Sequence, residues 1–239
     1  MRKFLTAKWK DLIMANYEVD PAILASRIPA GTELDLNEGK CFVSLVGFMF
    51  LDTRVMEFLI PGHVNFEEVN LRFYVKRETG GEARRGVVFI KEIVPKTAIA
   101  LVARTLYGEP YERWKMANFR DGRQVRYEWS RGDCRNSISV GRGANMGVPD
   151  AGSHGEFIIE HYWGYTKRSR KRTDEYKVEH PKWELYDVED PQINVDFGRT
   201  YGAEFEQLSG MRPDSILLAA GSDIAVNKGT KLTASDMAG

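Results

Sequence analysis

Residues His63–Val75 read HVNFEEVNLRFYV, and this stretch decides how the chain folds. Side chains of a β-strand point alternately to its two faces. With that period, one face carries Phe66, Glu68, Asn70, Arg72 and Tyr74. The other face carries Glu67, Val69, Leu71, Phe73 and Val75. The second face is suited to a core, whereas the first mixes aromatic with ionisable side chains, as a binding site does.

The strand that follows along the chain places a lysine near this polar face. Gly80-Gly81 supplies two positions that tolerate positive φ, which favours a tight hairpin turn. A turn centred there pairs residues 66–75 with residues 86–94 in antiparallel register. We expect Lys91 to lie opposite Asn70, on the same face as Glu68 and Arg72. Direct and diagonal neighbours on one face of a sheet lie about 5–8 Å apart, within reach of long side chains.

Two interpretations of this face remain open from the sequence. The second strand, GVVFIKEIVP, is apolar on both faces, which favours a pocket lined by Glu68, Asn70, Arg72 and Lys91. The alternative is an exposed sheet face with an ordinary ion pair among its long side chains, worth about 1 kcal/mol or less.

The remainder of the chain predicts a mainly β fold. Short apolar runs recur between Gly, Pro, Asn and Asp residues. Residues 41–52, CFVSLVGFMFLD, are apolar on both faces and predict a central strand. Asp121-Gly122 predicts a hairpin turn. The expected fold class is mainly β (α+β): an antiparallel, closed or strongly curled β-barrel-like sheet with a few short helices.

Two short helices are expected from their end signals. Asp20 followed by Pro21 is typical of an N-cap and a first helical residue. A second helix is expected from Pro95 to Gly108, because its apolar residues recur with helical spacing and the glycine ends it. EFIIEHYWGYT, residues 156–166, is expected to be a strand.

The charge composition gives no indication of a highly charged partner such as nucleic acid or a membrane surface. The chain has 239 residues, with 34 Lys+Arg against 34 Asp+Glu, so no overall field attracts nucleic acid or a membrane. No apolar run approaches a membrane span and no signal peptide is evident, so a cytoplasmic protein is expected. Cys41 and Cys134 are expected to be buried thiols. Residues 1–226 are expected to form one β-barrel-like domain and residues 227–239 a frayed polar tail, and the oligomeric state is left open.

Histidines and loops add weaker features. The hairpin expected after residue 156 places His161 opposite His180. Such a pair suits a carboxylate ligand more than a metal, and the alternative is that the two rings bond only each other and the nearby backbone. No metal site or cofactor motif is predicted, because the histidine spacing fits no zinc signature and the glycine-rich segment lacks a Lys-Ser/Thr pair. Residues Gly141 to Gly155 are expected to form a mobile loop at a cavity mouth. The basic run Lys167–Arg172 is expected to be a solvated hairpin tip.

Four segments carry a resemblance to a known family: VNFEEVNLRFYV, RRGVVFIKEIVP, EHYWGYT and VEHPKWEL. Over most of residues 9–190 the chain resembles the YqjF-like uncharacterised family (domain of unknown function 2071), which is grouped with the acetoacetate-decarboxylase-like superfamily. The resemblance implies a closed antiparallel β-structure with a central cavity. It also matches Glu68 to the decarboxylase's cavity glutamate and Lys91 to its Schiff-base lysine. The decarboxylase has a second lysine next in sequence, where this chain has Glu92.

Three functions follow as hypotheses. In the first, a small organic carboxylate or carbonyl ligand binds in an internal cavity, with Arg72 holding its anionic group and Asn70, His161 and His180 contacting it. In the second, a lyase-type enzyme uses Lys91 as nucleophile or base, with Glu68 as its catalytic partner. In the third, the protein is a non-catalytic structural or interaction protein. Because two glutamates neighbour Lys91, we expect it to be protonated and to anchor a ligand without covalent chemistry.

Overall fold

The computed structural model describes residues 3–96, 108–233 and 236. Its strands join in one mixed, strongly curled sheet with a few short helices, which confirms the predicted fold class. The strands are β1 (Lys3–Glu18), β2 (Glu33–Leu34), β3 (Phe42–Val55), β4 (Phe58–Leu59), β5 (Phe66–Thr79), β6 (Glu82–Val94), β7 (Tyr111–Arg113), β8 (Lys115–Arg120), β9 (Gln124–Arg131), β10 (Cys134–Gly147), β11 (Trp163–Ser169), β12 (Arg172–Glu179), β13 (Leu185–Asn194), β14 (Ser215–Ala219), β15 (Asp223–Asn227) and β16 (Thr230–Lys231). The helices are Pro21–Leu24, His154–Ile159, Phe197–Tyr201 and Ala203–Leu208.

Strand pairing closes part of the sheet on itself. The order β3-β5-β6-β11-β12-β15-β1 returns to its start, because β1 also pairs with β3. A second path leaves β1 through β14, β13 and β10 to β9 and β8. The long strand β1 therefore pairs with β3, β14 and β15, and it ties the closed ring to the rest of the sheet.

Alternate side chains of the central strands face two different interiors. Val69, Leu71 and Phe73 of β5 pack in one core together with residues of β9 and β10. Phe66 and Tyr74 of the same strand pack in a second core inside the closed ring. The predicted period of two is thus confirmed, as is the central strand within residues 41–52, since β3 lies between β1 and β5.

Several local predictions are confirmed by hydrogen bonds at turns and helix ends. The helix Pro21–Leu24 begins with Asp20, whose Oδ1 accepts from Ala22 N at 2.8 Å. β8 and β9 form a hairpin whose turn contains Asp121-Gly122, and Asp121 Oδ1 accepts from Gln124 N at 2.8 Å. The helix expected from Pro95 to Gly108 falls largely on residues 97–107, which lie outside the described residues.

The expected strand at residues 156–166 was wrong in its first half. Residues His154–Ile159 form a helix, and the strand begins only at Trp163. Ser153 caps this helix, because its Oγ accepts from Glu156 N at 3.2 Å. A serine with a glutamate three residues later is the sequence signature of a helix start, so the local signal for the helix was present in the sequence.

The expected loop from Gly141 to Gly155 was also wrong over much of its length. β10 continues through Gly147 and pairs with β13. A Cβ at Gly141 would lie 3.0 Å from the Cβ of Glu189, and a Cβ at Gly143 would lie 3.0 Å from the Cβ of Asp187. These glycines allow a close approach of β13 and do not indicate mobility.

The described part of the expected tail packs on the sheet. Thr230–Lys231 pairs with β12, and Leu232 is buried. Asp236 Oδ1 forms an ion pair with Arg77 Nη2 at 3.3 Å. Residues 230–233 and 236 are therefore held by contacts that the polar composition of the tail did not indicate. Cys41 and Cys134 are free and buried, as expected. Within the described residues, no helix is long and apolar enough to span a membrane.

Candidate ligand-binding site

The polar face of β5 looks into an internal cavity. Glu68, Asn70 and Arg72 line this cavity, whose volume is about 160 Å³. Glu68 and Asn70 are 2% and 1% exposed, so this part of the face is not solvated. Aromatic side chains form much of the wall: Trp9, Phe48, Phe50, Phe66, Phe89 and Trp183. Since a cavity of about 150 Å³ accepts benzene, the volume suits a small organic molecule.

A β-bulge changes the pairing of β5 with β6 within the site. Close to the turn the predicted register holds, but it shifts by one residue between Arg72 and Leu71. Asn70 therefore lies opposite Glu92 and not opposite Lys91. A shift of one residue sends a side chain to the other face of the sheet. The bulge thus brings a glutamate to the cavity where a lysine was predicted.

The predicted position of Lys91 in the site was wrong. Lys91 lies opposite Leu71, on the other face of the sheet, and its Nζ forms an ion pair with Glu112 Oε1 at 3.0 Å. None of the described residues that line the cavity is a lysine. The undescribed residues 1–2, 97–107, 234–235 and 237–239 contain no lysine either. A Schiff base on a cavity lysine therefore has no residue to form on.

Three glutamates from different parts of the chain form what we call the carboxyl cluster. Glu68 lies on β5, Glu92 on β6 and Glu109 just before β7, and all three are buried and line the cavity. Burial raises the pKa of Glu68 to about 8, the pKa of Glu109 to about 7 and the pKa of Glu92 well above its usual range. Repulsion from the neighbouring carboxyls adds to the shifts of Glu68 and Glu92. The cluster thus holds protons at neutral pH.

Hydrogen bonds distinguish the glutamates of the carboxyl cluster. Asn70 Nδ2 donates to Glu68 Oε1 at 2.9 Å, and the Tyr111 hydroxyl donates to Glu68 Oε2 at 3.2 Å. The Tyr176 hydroxyl donates to Glu109 Oε1. This bond and the positive charge of Arg168 oppose the effect of burial on the pKa of Glu109. These two effects favour the ionised form of Glu109.

Arg72 brings the positive charge of the cavity. Its Nη2 donates to the Ile158 carbonyl at 3.5 Å, and its guanidinium lies 5.7 Å from the centre of the Tyr74 ring. Among the described residues Arg72 has no ion-pair partner within 4.0 Å, and its buried Nε has no hydrogen-bond partner. A buried guanidinium donor without an acceptor is costly unless a ligand supplies the acceptor.

His161 presents an acceptor to the same cavity. Its Nε2 lies 3.1 Å from Asp35 Oδ2, and its side chain is 1% exposed. Asp35 also accepts from Arg85 Nε at 2.6 Å. Burial lowers the pKa of His161 to about 4, so the ring is neutral. With the Nε2 proton directed at Asp35, Nδ1 carries a lone pair, and it has no partner among the described residues.

His180 lines the cavity, but the predicted pairing with His161 was wrong. β11 begins at Trp163, which lies opposite Lys177, so His161 precedes the hairpin. His180 stacks on Trp183 with ring centres 4.1 Å apart, and its Nδ1 lies 2.9 Å from the Pro181 carbonyl. Burial lowers the pKa of His180 to about 4. The two histidines thus act separately on the cavity.

Most of the predicted site residues meet in one place, and several others were missed. Glu68, Asn70, Arg72, His161 and His180 all line the cavity. Five further residues were not among the predicted site residues: Asp35, Glu92, Glu109, Tyr111 and Tyr176. Glu92 could have been noticed in the sequence, because it lies within an apolar run, where a glutamate is seldom buried unless it has a partner. Asp35, Glu109 and Tyr176 come from distant segments whose meeting depends on topology. Within the described residues, no group of three or more His, Cys, Asp or Glu side chains has an arrangement suited to a metal ion.

Comparison with known proteins identifies relatives over most of the chain. Residues 6–223 match the profile of the family termed domain of unknown function 2071, described as an uncharacterized conserved protein. The uncharacterized protein YqjF of Bacillus subtilis (strain 168) is 27% identical over 192 residues, which cover 79% of this chain and 77% of that protein.

Solved structures share the fold at low sequence identity. Acetoacetate decarboxylase from Legionella pneumophila is 13% identical with a TM-score of 0.66, covering 96% of this chain and 87% of that one. The enduracididine biosynthesis enzyme MppR, complexed with pyruvate, is 14% identical with a TM-score of 0.66, covering 98% and 92%. At these identities the similarity establishes an acetoacetate-decarboxylase-like fold and no shared chemistry.

Proposed function

The chain belongs to the family termed domain of unknown function 2071, and we propose that it binds a small oxo-carboxylate in its internal cavity. By oxo-carboxylate we mean an organic acid that also carries a carbonyl group. The observation that carries this proposal is Arg72, a cavity guanidinium with no ion-pair partner among the described residues and an unpartnered Nε. A carboxylate is the anion whose two oxygens match the guanidinium fork.

The rest of the cavity suits the other end of such a ligand. Aromatic and aliphatic side chains contact a short carbon chain, which loses its hydration on binding. The carboxyl cluster holds protons at neutral pH and therefore presents O–H donors to a carbonyl oxygen. His161 Nδ1 accepts from a ligand hydroxyl, such as that of an enol or a hydrated carbonyl.

Proteins of the same fold support this ligand class. MppR is described in complex with pyruvate, which is an oxo-carboxylate, and acetoacetate, named in the decarboxylase, is another. This support concerns ligand chemistry alone, since neither similarity exceeds 14% identity.

Titration calorimetry with pyruvate and 2-oxobutanoate tests the proposal. Pyruvamide, which keeps the carbonyl and lacks the charge, should bind at least about tenfold more weakly, because a hydrogen bond to a charged group contributes about 1.5–3 kcal/mol. Arg72→Gln should lose affinity for pyruvate by a similar factor. Arg135→Gln, at an exposed position outside the cavity, is the matched control and should bind as the parent does. Equal binding of pyruvate by Arg72→Gln and Arg135→Gln would refute the proposal.

The two other functions considered from the sequence have less support. A solvated structural face would require Glu68 to be exposed, and it is 2% exposed. A lyase using Lys91 would require Lys91 in the cavity, and it pairs with Glu112 on the other face.

A further inference from the structure

We propose that the carboxyl cluster transfers protons at the carbon next to the bound carbonyl, so that the cavity enolises small oxo-carboxylates without a covalent intermediate. The inference rests on the proposed function, because it requires the ligand to be bound by Arg72. It goes beyond binding, since it assigns a reaction to Glu109, Glu68 and Tyr111.

The carboxyl cluster has buried polar atoms without hydrogen-bond partners, which a ligand can bond and which a purely structural cluster would lack. Three carboxyls that only held the fold together would each be fully hydrogen-bonded, because orphaned buried polar atoms are costly. Glu92 Oε2 and Asn70 Oδ1 are instead buried and without partners among the described residues. Asn70 is 1% exposed and donates to Glu68, so its free oxygen lies beside the cluster. These atoms, on two adjacent strands, both belong to residues that line the cavity.

The reaction requires one carboxyl as the base and another as the acid. Glu109 is the base: the Tyr176 hydroxyl and the charge of Arg168 favour its carboxylate form. Glu68 is the acid: burial and repulsion from Glu109 raise its pKa to about 8, against the opposing effects of Asn70, Tyr111 and the charge of Arg72. A carboxylic acid kept neutral by an apolar site, beside a tyrosine, is an effective donor to an enolate oxygen.

The atoms and electrons of the step balance within the site. The Glu109 carboxylate removes a proton from the carbon next to the carbonyl, and the C–H electron pair becomes the C=C bond of the enol. The carbonyl π pair takes a proton from the Glu68 carboxyl, and the Tyr111 hydroxyl, which donates to Glu68 Oε2, stabilises the carboxylate that Glu68 becomes. Glu109 ends protonated and Glu68 ionised, so the charge of the cluster does not change. The reverse step returns a proton to carbon.

Lysine-dependent enzymes activate a carbonyl by forming an iminium ion, and none of the described residues that line this cavity is a lysine. Neutral carboxyls that donate hydrogen bonds polarise the carbonyl without a covalent bond. The single residue shift at the bulge, which faces Glu92 and not Lys91 into the cavity, is consistent with this change of mechanism.

The test follows deuterium exchange at the carbon next to the carbonyl of pyruvate and 2-oxobutanoate, by proton NMR in D₂O. The protein should accelerate exchange over buffer, and Glu109→Gln should reduce the rate about 10²-fold or more, as removal of a general base does. Glu68→Gln should also reduce it. Glu128→Gln, a partly exposed position on β9, is the matched control and should exchange as the parent does.

The pH profile separates a catalytic from a structural role. The rate should peak between about pH 7 and pH 8, where Glu109 is ionised and Glu68 protonated. Tyr176→Phe, which removes the donor to Glu109, should move the acid limb to higher pH without abolishing exchange. An unchanged profile in Tyr176→Phe, or unchanged exchange in Glu109→Gln, would overturn the inference.

The outcomes also distinguish this inference from the proposed function. Calorimetric binding of pyruvate with no exchange above buffer refutes proton transfer and leaves binding intact. Failure of every oxo-carboxylate to bind refutes both. Exchange that survives in Arg72→Gln at saturating pyruvate, with weaker binding, supports both.

Discussion

Gly164 on β11 lies directly opposite Tyr176 on β12, and the Tyr176 ring passes over the glycine to reach Glu109. A Cβ at position 164 would overlap the ring carbons and the hydroxyl of Tyr176. The absence of a side chain at Gly164 is therefore what permits the hydrogen bond between Tyr176 and Glu109.

Gly164→Ala should displace Tyr176 and break that bond. We expect a loss of stability of about 1–3 kcal/mol, as for other overpacked sites, measured by urea unfolding. Tyr176→Phe is the matched variant, since it removes the same hydrogen bond without a steric clash and should cost about 1 kcal/mol. If both variants unfold at the same urea concentration as the parent, the contact does not constrain the fold.

Buried glutamates should make the protein less stable at alkaline pH. A glutamate in an unfolded chain has a pKa of about 4.3, whereas burial raises the pKa of Glu68 to about 8. The folded state thus binds this proton more tightly, and its contribution is full at low pH and is lost as pH rises toward 8. Glu68→Gln should therefore be more stable than the parent at pH 9, by a few kcal/mol in order of magnitude, and similar to it at pH 5.

The measurement is urea unfolding of Glu68→Gln, the parent and Glu128→Gln at pH 5 and pH 9. Glu128→Gln should follow the parent at both values, because the Glu128 side chain is 47% exposed. Parallel loss of stability in all three proteins between pH 5 and pH 9 would contradict the assigned role of Glu68.

His161 should destabilise the fold on the acid side. Burial lowers the pKa of His161 to about 4, against about 6.5 in an unfolded chain. The unfolded state therefore takes up the proton first, so the contribution of this group is present above pH 6.5 and is lost as pH falls toward 4. His161→Gln, whose amide can donate to Asp35, should show a flatter loss of stability over that range. His63→Gln, which replaces a histidine bonded to the Pro61 carbonyl, should retain the acid loss of the parent.

Reduction with borohydride should leave the cavity unmodified. No described cavity residue is a lysine, and the undescribed residues contain none. Sodium borohydride should therefore trap no pyruvate adduct on a single, specific lysine. Intact-mass and peptide analysis of the parent and of Lys91→Ala should agree. A stoichiometric adduct at one lysine would contradict the lysine-free site if an excess of an analogue that forms no Schiff base prevents it.

The alternation of β5 and its hairpin with β6 could be read from the sequence, because both depend on local patterns. Phe66–Tyr74 alternates cleanly, and Gly80-Gly81 fixes the turn. The bulge could not be read, because residues 87–94 are apolar on both faces and therefore accept either register equally well. Because of this ambiguity, Lys91 was predicted at the site position that Glu92 occupies.

The other errors have a similar origin in competing local signals. Residues 156–166 alternate well enough for a strand, yet the cap at Ser153 started a helix there. The glycines at 141 and 143 read as a mobile loop, whereas they admit a neighbouring strand. Glu109 and Tyr176 are separated along the chain, and only the order of strands in the sheet brings them together.

The pairings of β1 have a consequence for how the chain is made. β1 is synthesised before the strands that follow it here, yet it completes its hydrogen bonds only with β14 and β15. Lys3 pairs with Asn227, so the ring closes only after Asn227 has been synthesised. Contacts between such distant residues form slowly, and unpaired apolar strands are prone to aggregate. The order of synthesis therefore leaves β1 without its β14 and β15 partners while all the intervening strands are made, although β3 can pair with it earlier.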